Sequence, residues 1–535
     1  MNWPSFSGYR IILLLAIATW AGFFFVRATG PTDLLSRDQV KVAGYTLDII
    51  ENDAWLWQQD HNGNFASKPP LTQWFAALFT KATGHYNRLT RAFPSWFACL
   101  IAVIVICGWV GREFGPSAAL WAPLLLIANP MGIRAILLER SDPLFMCATM
   151  LVALGVWKCW IDGARPWLMV IAGTAAVLAK GPLALVIGLL GLLATFTEIK
   201  TERQPIPIRA ITVALLLSLL IPSIWLWTAQ QSSGGLAIDK LLIKELAGHA
   251  FGAREAANQQ SWTHHFLPLP WFLSRLAPVG LIALIAIFRF WRPSSIRKSS
   301  NTSREDRAVR FLIAWLLGGI VLLCIASHHR FIHLLIVLPP AAMLASREIA
   351  SWFSKPARGP MWAAVLLSGV LPITAVYLDM IDISSPHIVR SREVEEFAIS
   401  VQEEVGPGAR MEFFGNLPGV QAQLGRHQSA LTEDRIAATL NSDEVIYVIV
   451  EQEDGFRQLA SKQGIGIFDV ALRRPFDGEH LALYASKGAS GAQRVADSHK
   501  PNYLLLTLLS LLTSSLLFVS ARFVAHSLVS STTAT

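Results

Sequence analysis

Long apolar runs recur along the chain, separated by short polar connections. A helix needs about 20 apolar residues to cross a bilayer. Twelve segments read as spans: 9–28, 93–111, 117–137, 143–161, 166–180, 182–199, 208–229, 270–291, 310–326, 330–346, 360–380 and 503–525. A shorter apolar run, Leu71 to Thr83, reads as an interfacial or re-entrant helix. Two stretches break the pattern. Residues 28–92 form a long polar connection after the first span. In residues 381–502, strand-like runs (Met411 to Phe414, Val445 to Val450, Ile465 to Val470, Leu481 to Tyr484) alternate with helix-like stretches (Arg392 to Val405, Glu433 to Leu440). The pattern predicts a polytopic α-helical membrane protein with a small α/β domain near the C-terminus. Residues 1–380 would form the membrane module, 381–502 the α/β domain, and 503–535 a last span and tail.

Composition agrees. Of 535 residues, 53% are apolar and 15% charged, against about 25% charged in soluble domains. Nineteen Trp against seven Tyr suit interfacial anchoring. The net charge of +8 reads as topology and contact with anionic lipid, because the basic residues gather on no single module; nucleic acid is not expected as a partner. The five cysteines all lie in or at the ends of apolar segments and form no Cys-x-x-Cys pair, so neither a disulfide framework nor a zinc ribbon is expected. The N-terminal run shows no small-residue cleavage signature and reads as a retained span.

Lys and Arg in the short connections set the orientation. With the N-terminus inside, the inner connections carry Arg112, then Lys158 and Arg165, then Lys200, Arg203 and Arg209, then the cluster from Arg292 to Arg310, and last Arg347, Lys355 and Arg358. The outer connections are then 28–92, Glu139-Arg140-Ser141-Asp142, Lys180-Gly181-Pro182, 230–269, Ser327-His328-His329-Arg330 and 381–502. Connections that combine an acid with a base, or His with Arg, all fall on the outer side.

Each outer constellation has a chemical reading and a plainer one. Asp38 follows the first span closely; it can act as a general base toward an attacking hydroxyl, or merely sit as an acid in the first turn of a helix. Lys41 shares its helix face by spacing. Lys68-Pro69-Pro70 opens an apolar helix, where backbone amides and a cation together favour phosphate; the prolines alone also make a good helix start. Asp142 before Pro143 suits an N-cap as well as a site acid. Lys180 sits at a hairpin tip and either points into an outer cavity or snorkels. His329 and Arg330 join two spans with almost no linker and suit an anionic head group. Neither this pair nor His264-His265 has acidic or Cys partners at metal-ligand spacing, and no Gly-rich loop with a following GK[ST] supports nucleotide use.

The residues Arg37-Asp38-Gln39, Ile49-Ile50-Glu51, Trp55, Asn62-Gly63 and Lys68-Pro69-Pro70-Leu71 resemble the first outer loop of the GT-C membrane glycosyltransferases. The nearest type is the bacterial branch of the lipid A aminoarabinose transferase and the protein O-mannosyltransferases. The resemblance continues in order through Arg140-Ser141-Asp142, Ala179-Lys180-Gly181-Pro182, His329-Arg330-Phe331 and Leu338-Pro339-Pro340, and covers roughly residues 9–346.

The resemblance implies inverting transfer of a sugar from a polyprenyl-phosphate donor to a lipid acceptor of the lipid A type, or to another glycan or protein acceptor, at the periplasmic face of a bacterial inner membrane. Asp38 matches the catalytic carboxylate and Asp142 a second acid near it. Lys68 matches a lysine on the donor phosphate. Lys41, Lys180, Arg330 and His329 are further candidates for that phosphate. The chain departs from the family at Gln39, where a second acid is usual, and at Ser67, where the aminoarabinose transferase has a glutamate that helps hold a metal. No metal or other cofactor is therefore expected. The competing readings are protein O-glycosylation by the same chemistry and a lipid or solute transporter; no internal repeat favours the transporter.

Overall fold

A computed structural model describes residues 6–29, 34, 37–198, 203–247, 262–292, 303–326, 329–353, 386–405, 410–415, 417–428, 430–464, 470–476 and 479–489. The spans expected at 360–380 and 503–525, residues Ser327 and His328, and most of the run from Ile465 to Val470 lie outside these residues.

The chain begins with α1 (Phe6–Thr29), followed by α2 (Arg37–Asn52) and α3 (Leu71–Thr83), the last two within the first polar connection. Then come α4 (Phe93–Phe114), α5 (Pro116–Ile127), α6 (Pro130–Ile136), α7 (Asp142–Asp162), α8 (Trp167–Lys180) and α9 (Leu183–Leu189). The membrane module continues with α10 (Ile208–Ser232), α11 (Pro268–Arg275), α12 (Val279–Phe290), α13 (Arg304–Ile325) and α14 (Leu338–Phe353). Among the described residues, five helices are long and apolar enough to cross a membrane, or seven if each of two bent pairs is one span.

The bends correct the expectation of unbroken helices. The run 117–137 is two helices, Pro116–Ile127 and Pro130–Ile136, at 74° to each other. Asn129 causes the break: its side chain accepts from the amides of Met131 and Gly132 and starts a new helix, while Pro130 has no amide to continue the old one. The run 270–291 likewise bends by 101° between Thr263–Arg275 and Val279–Phe290. The helices of the expected spans 166–180 and 182–199 are short: α8 has 14 residues and α9 seven, prolonged by a 3-10 helix, Leu190–Thr197.

Charged residues gather at two ends. At one end Arg304 reaches Glu113 through Nε and Nη2, both at 2.8 Å, and Asp162 through Nη1 at 2.7 Å. Arg112 joins Asp162 at 3.1 Å, Arg307 joins Glu198 at 3.3 Å and Arg347 joins Glu305 at 2.7 Å. All four arginines come from connections assigned to the inner side. At the opposite end lie Asp38, Arg91, Glu139, Arg140, Asp142, Lys180 and Arg330.

Beyond that second end lies an α/β unit. Its helices are α15 (Pro386–Val405), α16 (Pro418–Leu424), α17 (Ile436–Leu440) and α18 (Glu453–Lys462). Its strands are β1 (Arg410–Phe414), β2 (Ile446–Val450), β3 (Val470–Phe476) and β4 (Glu479–Ala485) in the order β1-β2-β4-β3, with only β1 and β2 parallel. Alternation on the strands builds two cores. Phe413, Ile449, Leu481 and Leu483 face α15, which presents Val394, Phe397, Ala398 and Val401 at helical spacing. Val448, Val450, Ala482 and Tyr484 face Ile436, Leu440 and Phe456.

This unit docks on the first polar connection. Ala422 of α16 packs with Leu34, Val40 and Ala43. Beside it, His61 Nε2 meets the Arg426 carbonyl at 3.1 Å and His427 Nε2 meets the Gln59 carbonyl at 3.1 Å, with the two rings 5.3 Å apart. Glu51 accepts from the His427 amide at 3.1 Å, and Asp48 lies 3.9 Å from its ring. Gly44 makes the room, since a Cβ there would stand 2.7 Å from His61 Nδ1.

Burial first, and His427 second, lower the pKa of His61 to about 4 against 6.5 for a free imidazole; the Arg426 carbonyl and Asp60 pull the other way. Between those values the unfolded chain binds more protons. The contact is at full strength above pH 6.5 and weakens as pH falls toward 4, by up to about 3 kcal/mol. Thermal melts of purified protein should show Tm falling across this window, and falling less in His61→Gln. Equal slopes would show that His61 titrates alike in the folded and unfolded chain.

Candidate active site

Four connections deliver one chain of alternating charges. Asp38 sits in the first turn of α2, where a helix start tolerates an acid. Arg140 and Asp142 come from the tight link between α6 and α7. Lys180 ends α8, and Arg330 stands on the short link between α13 and α14. Lys180 bonds Asp142 Oδ1. Arg140 then bridges the two acids, with Nε 3.0 Å from Asp142 Oδ2 and Nη2 3.0 Å from Asp38 Oδ2. Arg330 closes the chain on the same Asp38 oxygen. The two ends of the chain differ: Asp142 is 4% exposed, Asp38 32% and Arg330 44%. A buried, fixed half thus holds an accessible half.

Lys68 lies just before α3, and its charge, with those of Lys180, Asp142 and Arg140, acts on the buried His333. His329, Arg330 and His333 border a small cavity with Pro268, Trp271, Leu323 and Leu334. Next in the chain to Arg330, the ring of Phe331 lies 5.7 Å from the Arg134 guanidinium and 5.2 Å from that of Arg275. With two carboxylates against Lys68, Arg140, Lys180 and Arg330, the site is net positive and suits an anionic ligand.

The structure thus brings Asp38, Asp142, Lys180 and Arg330 into one chain, with Lys68 close by. Lys41, three residues after Asp38 on α2, lies 4.0 Å from Asp60, whose carboxylate also caps the 60–64 turn. His329 faces the ring of His265 at 5.4 Å and reaches the site only through the shared cavity. Asp142 does not act as the N-cap of α7; Ser141 holds that position without a side-chain bond, and the acid turns to its two cations. Arg140 was the residue missed as a site member. Its signal was present, a base two residues before an acid at a helix start.

A metal is implied by the aminoarabinose transferase branch. Among the described residues, no group of three or more His, Cys, Asp or Glu is placed to hold one, and position 67 carries a serine.

Comparison with known proteins addresses the fold. Residues 67–227 match the family model described as dolichyl-phosphate-mannose-protein mannosyltransferase. By sequence, no curated protein matches. A structure of ArnT from Cupriavidus metallidurans bound to undecaprenyl phosphate superposes with a TM-score of 0.67 at 15% identity, over 92% of this chain and 100% of that one. The same protein in the apo state gives 0.64 at 15% identity and the same coverage. The five long apolar helices among the described residues and this likeness over nearly the whole chain identify a multi-pass membrane protein with the GT-C fold.

Proposed function

We propose that this chain is a membrane glycosyltransferase that moves a sugar, with inversion, from a polyprenyl-phosphate donor to an acceptor at the outer face of a bacterial inner membrane. The observation that carries the reading is the chain of ion pairs from Lys180 to Arg330, buried at Asp142 and open to solvent at Asp38 and Arg330. A partly open cluster with more cations than acids suits a phosphate. The fold is that of an enzyme whose structure holds undecaprenyl phosphate.

The chemistry follows from the charges. The bond between the sugar C1 and the phosphate oxygen breaks, and a bond from C1 to the acceptor oxygen forms on the opposite face. Lys68 and Arg330, backed by Lys180, stabilise the negative charge that collects on the departing polyprenyl phosphate. Asp38 takes the proton of an acceptor hydroxyl, or orients the acceptor when it is a phosphate that is already ionised. Asp142 acts through Arg140 and Lys180, holding both in place.

The acceptor is proposed to be a lipid of the lipid A type. The match to a model of protein mannosyltransferases favours a protein acceptor as the second reading. Mass spectrometry of envelope glycolipids and glycoproteins in a deletion strain separates them. A sugar mass should vanish from one class, return with the wild-type gene, and stay absent with Asp38→Asn. An unchanged envelope, together with solute uptake by vesicles that carry the protein, would instead establish a transporter.

A further inference from the structure

The outer α/β unit grips the two elements on which the site's central ion pair is mounted. Arg91, in the one-turn helix Arg88–Arg91, is buried, and so is Glu139. Its Nε lies 2.8 Å from Glu139 Oε2 and its Nη2 lies 3.3 Å from Oε1. The same guanidinium also reaches outward, to the Ala422 carbonyl at 3.5 Å and to Gln423 Oε1 at 3.3 Å. Tyr86 covers it at 5.1 Å, and Gly425 sits so close to that ring that a Cβ would stand 2.9 Å from it. Arg91 therefore has partners on both sides of the junction.

Glu139 immediately precedes Arg140. Ser95 of α4 adds a second tether to this link, through the carbonyls of Leu138 and Arg140. The other partner in the site, Asp38, rides on α2, whose Val40 and Ala43 pack on Ala422 and whose far end is held at His427. The helix α16 and the turn after it thus touch both the α2 mount of Asp38 and the buried pair beside Arg140. The 3.0 Å contact between Arg140 and Asp38 is where the two held elements meet.

We infer that the outer unit is a positioning element of the transfer site, with Gln423 and the buried Arg91–Glu139 pair setting the place of Arg140 against Asp38. The inference rests on the reading of Asp38 as a site residue. Arg91 and Glu139 touch no reacting atom; they act through Arg140. A displacement of about 1 Å at a distance from the chemistry costs up to about 100-fold in rate, so small shifts at this junction are enough.

The test uses the full-length protein in nanodiscs, with Gln423→Ala removing the side-chain acceptor that the outer unit offers Arg91 and Gln423→Glu keeping it. The expected result is a fall in kcat of about tenfold for Gln423→Ala, with the KM for donor unchanged, and recovery in Gln423→Glu. Melting temperatures check that both variants are folded. A wild-type kcat in Gln423→Ala, an equal loss in both variants, or a raised KM at constant kcat would overturn the positioning role. Activity in Asp38→Asn overturns the site reading itself. An inactive Asp38→Asn beside a fully active Gln423→Ala overturns the inference alone.

Discussion

Asp38→Asn is expected to lower kcat by about 10²- to 10⁴-fold, the usual worth of a positioned base, without loss of membrane insertion. Asparagine keeps the size of the side chain and can still accept from Arg140 and Arg330. It carries no charge and is a far weaker proton acceptor. The fold should survive, because Asp38 is a third exposed and its ion pairs are partly solvated. Donor binding should hold or improve, since the variant adds a net positive charge beside the phosphate. A fall in kcat without a rise in KM for donor is therefore the expected signature, and it marks an interaction made in the transition state. Its size also reports on the acceptor. A hydroxyl acceptor needs its proton removed and loses the full factor; an ionised phosphate needs only orientation and loses about tenfold. Full activity of the purified variant would remove Asp38 from the mechanism.

Much of this arrangement was legible in the sequence because membrane burial is so demanding. An acid or lysine next to an apolar run has few uses, so Asp38, Lys68, Asp142, Lys180 and Arg330 stood out, and charge bias placed them on one side. Pairing was less legible. Asp142 beside Pro143 has the pattern of a helix cap, and only the approach of Lys180 from 38 residues away shows where its carboxylate turns. Arg91 and Glu139 lie 48 residues apart, each beside an apolar span, and nothing local links them. Helix breaks were half legible. Asn129-Pro130 is a stop and a start in two residues, yet an apolar run scored for length hides it. Lys41 shows the limit of periodicity: spacing fixes a helix face but not which of two acids, Asp38 or Asp60, draws a long flexible side chain.

Arg140→Leu is expected to lower kcat by about 100-fold, and Arg140→Lys by nearly as much. Arg140 touches both acids, through Nε on one side and Nη2 on the other. Leucine leaves Lys180 on the buried Asp142 and Arg330 on Asp38 but removes the bridge between the two acids, so the fixed half of the site no longer locates the accessible half. Lysine restores the charge but not the fork, and one ammonium cannot hold two carboxylates at these angles. Some stability is lost as well, about 1.5–3 kcal/mol for hydrogen bonds to charged groups, which a melting curve would register. The decisive measurement is the double variant with Asp38→Asn. If Arg140 works by placing Asp38, the double variant should be no slower than Asp38→Asn alone, because a placed group that is absent cannot be misplaced. If the two losses multiply instead, Arg140 acts on donor or acceptor directly, and the alternating chain is two sites side by side rather than one unit.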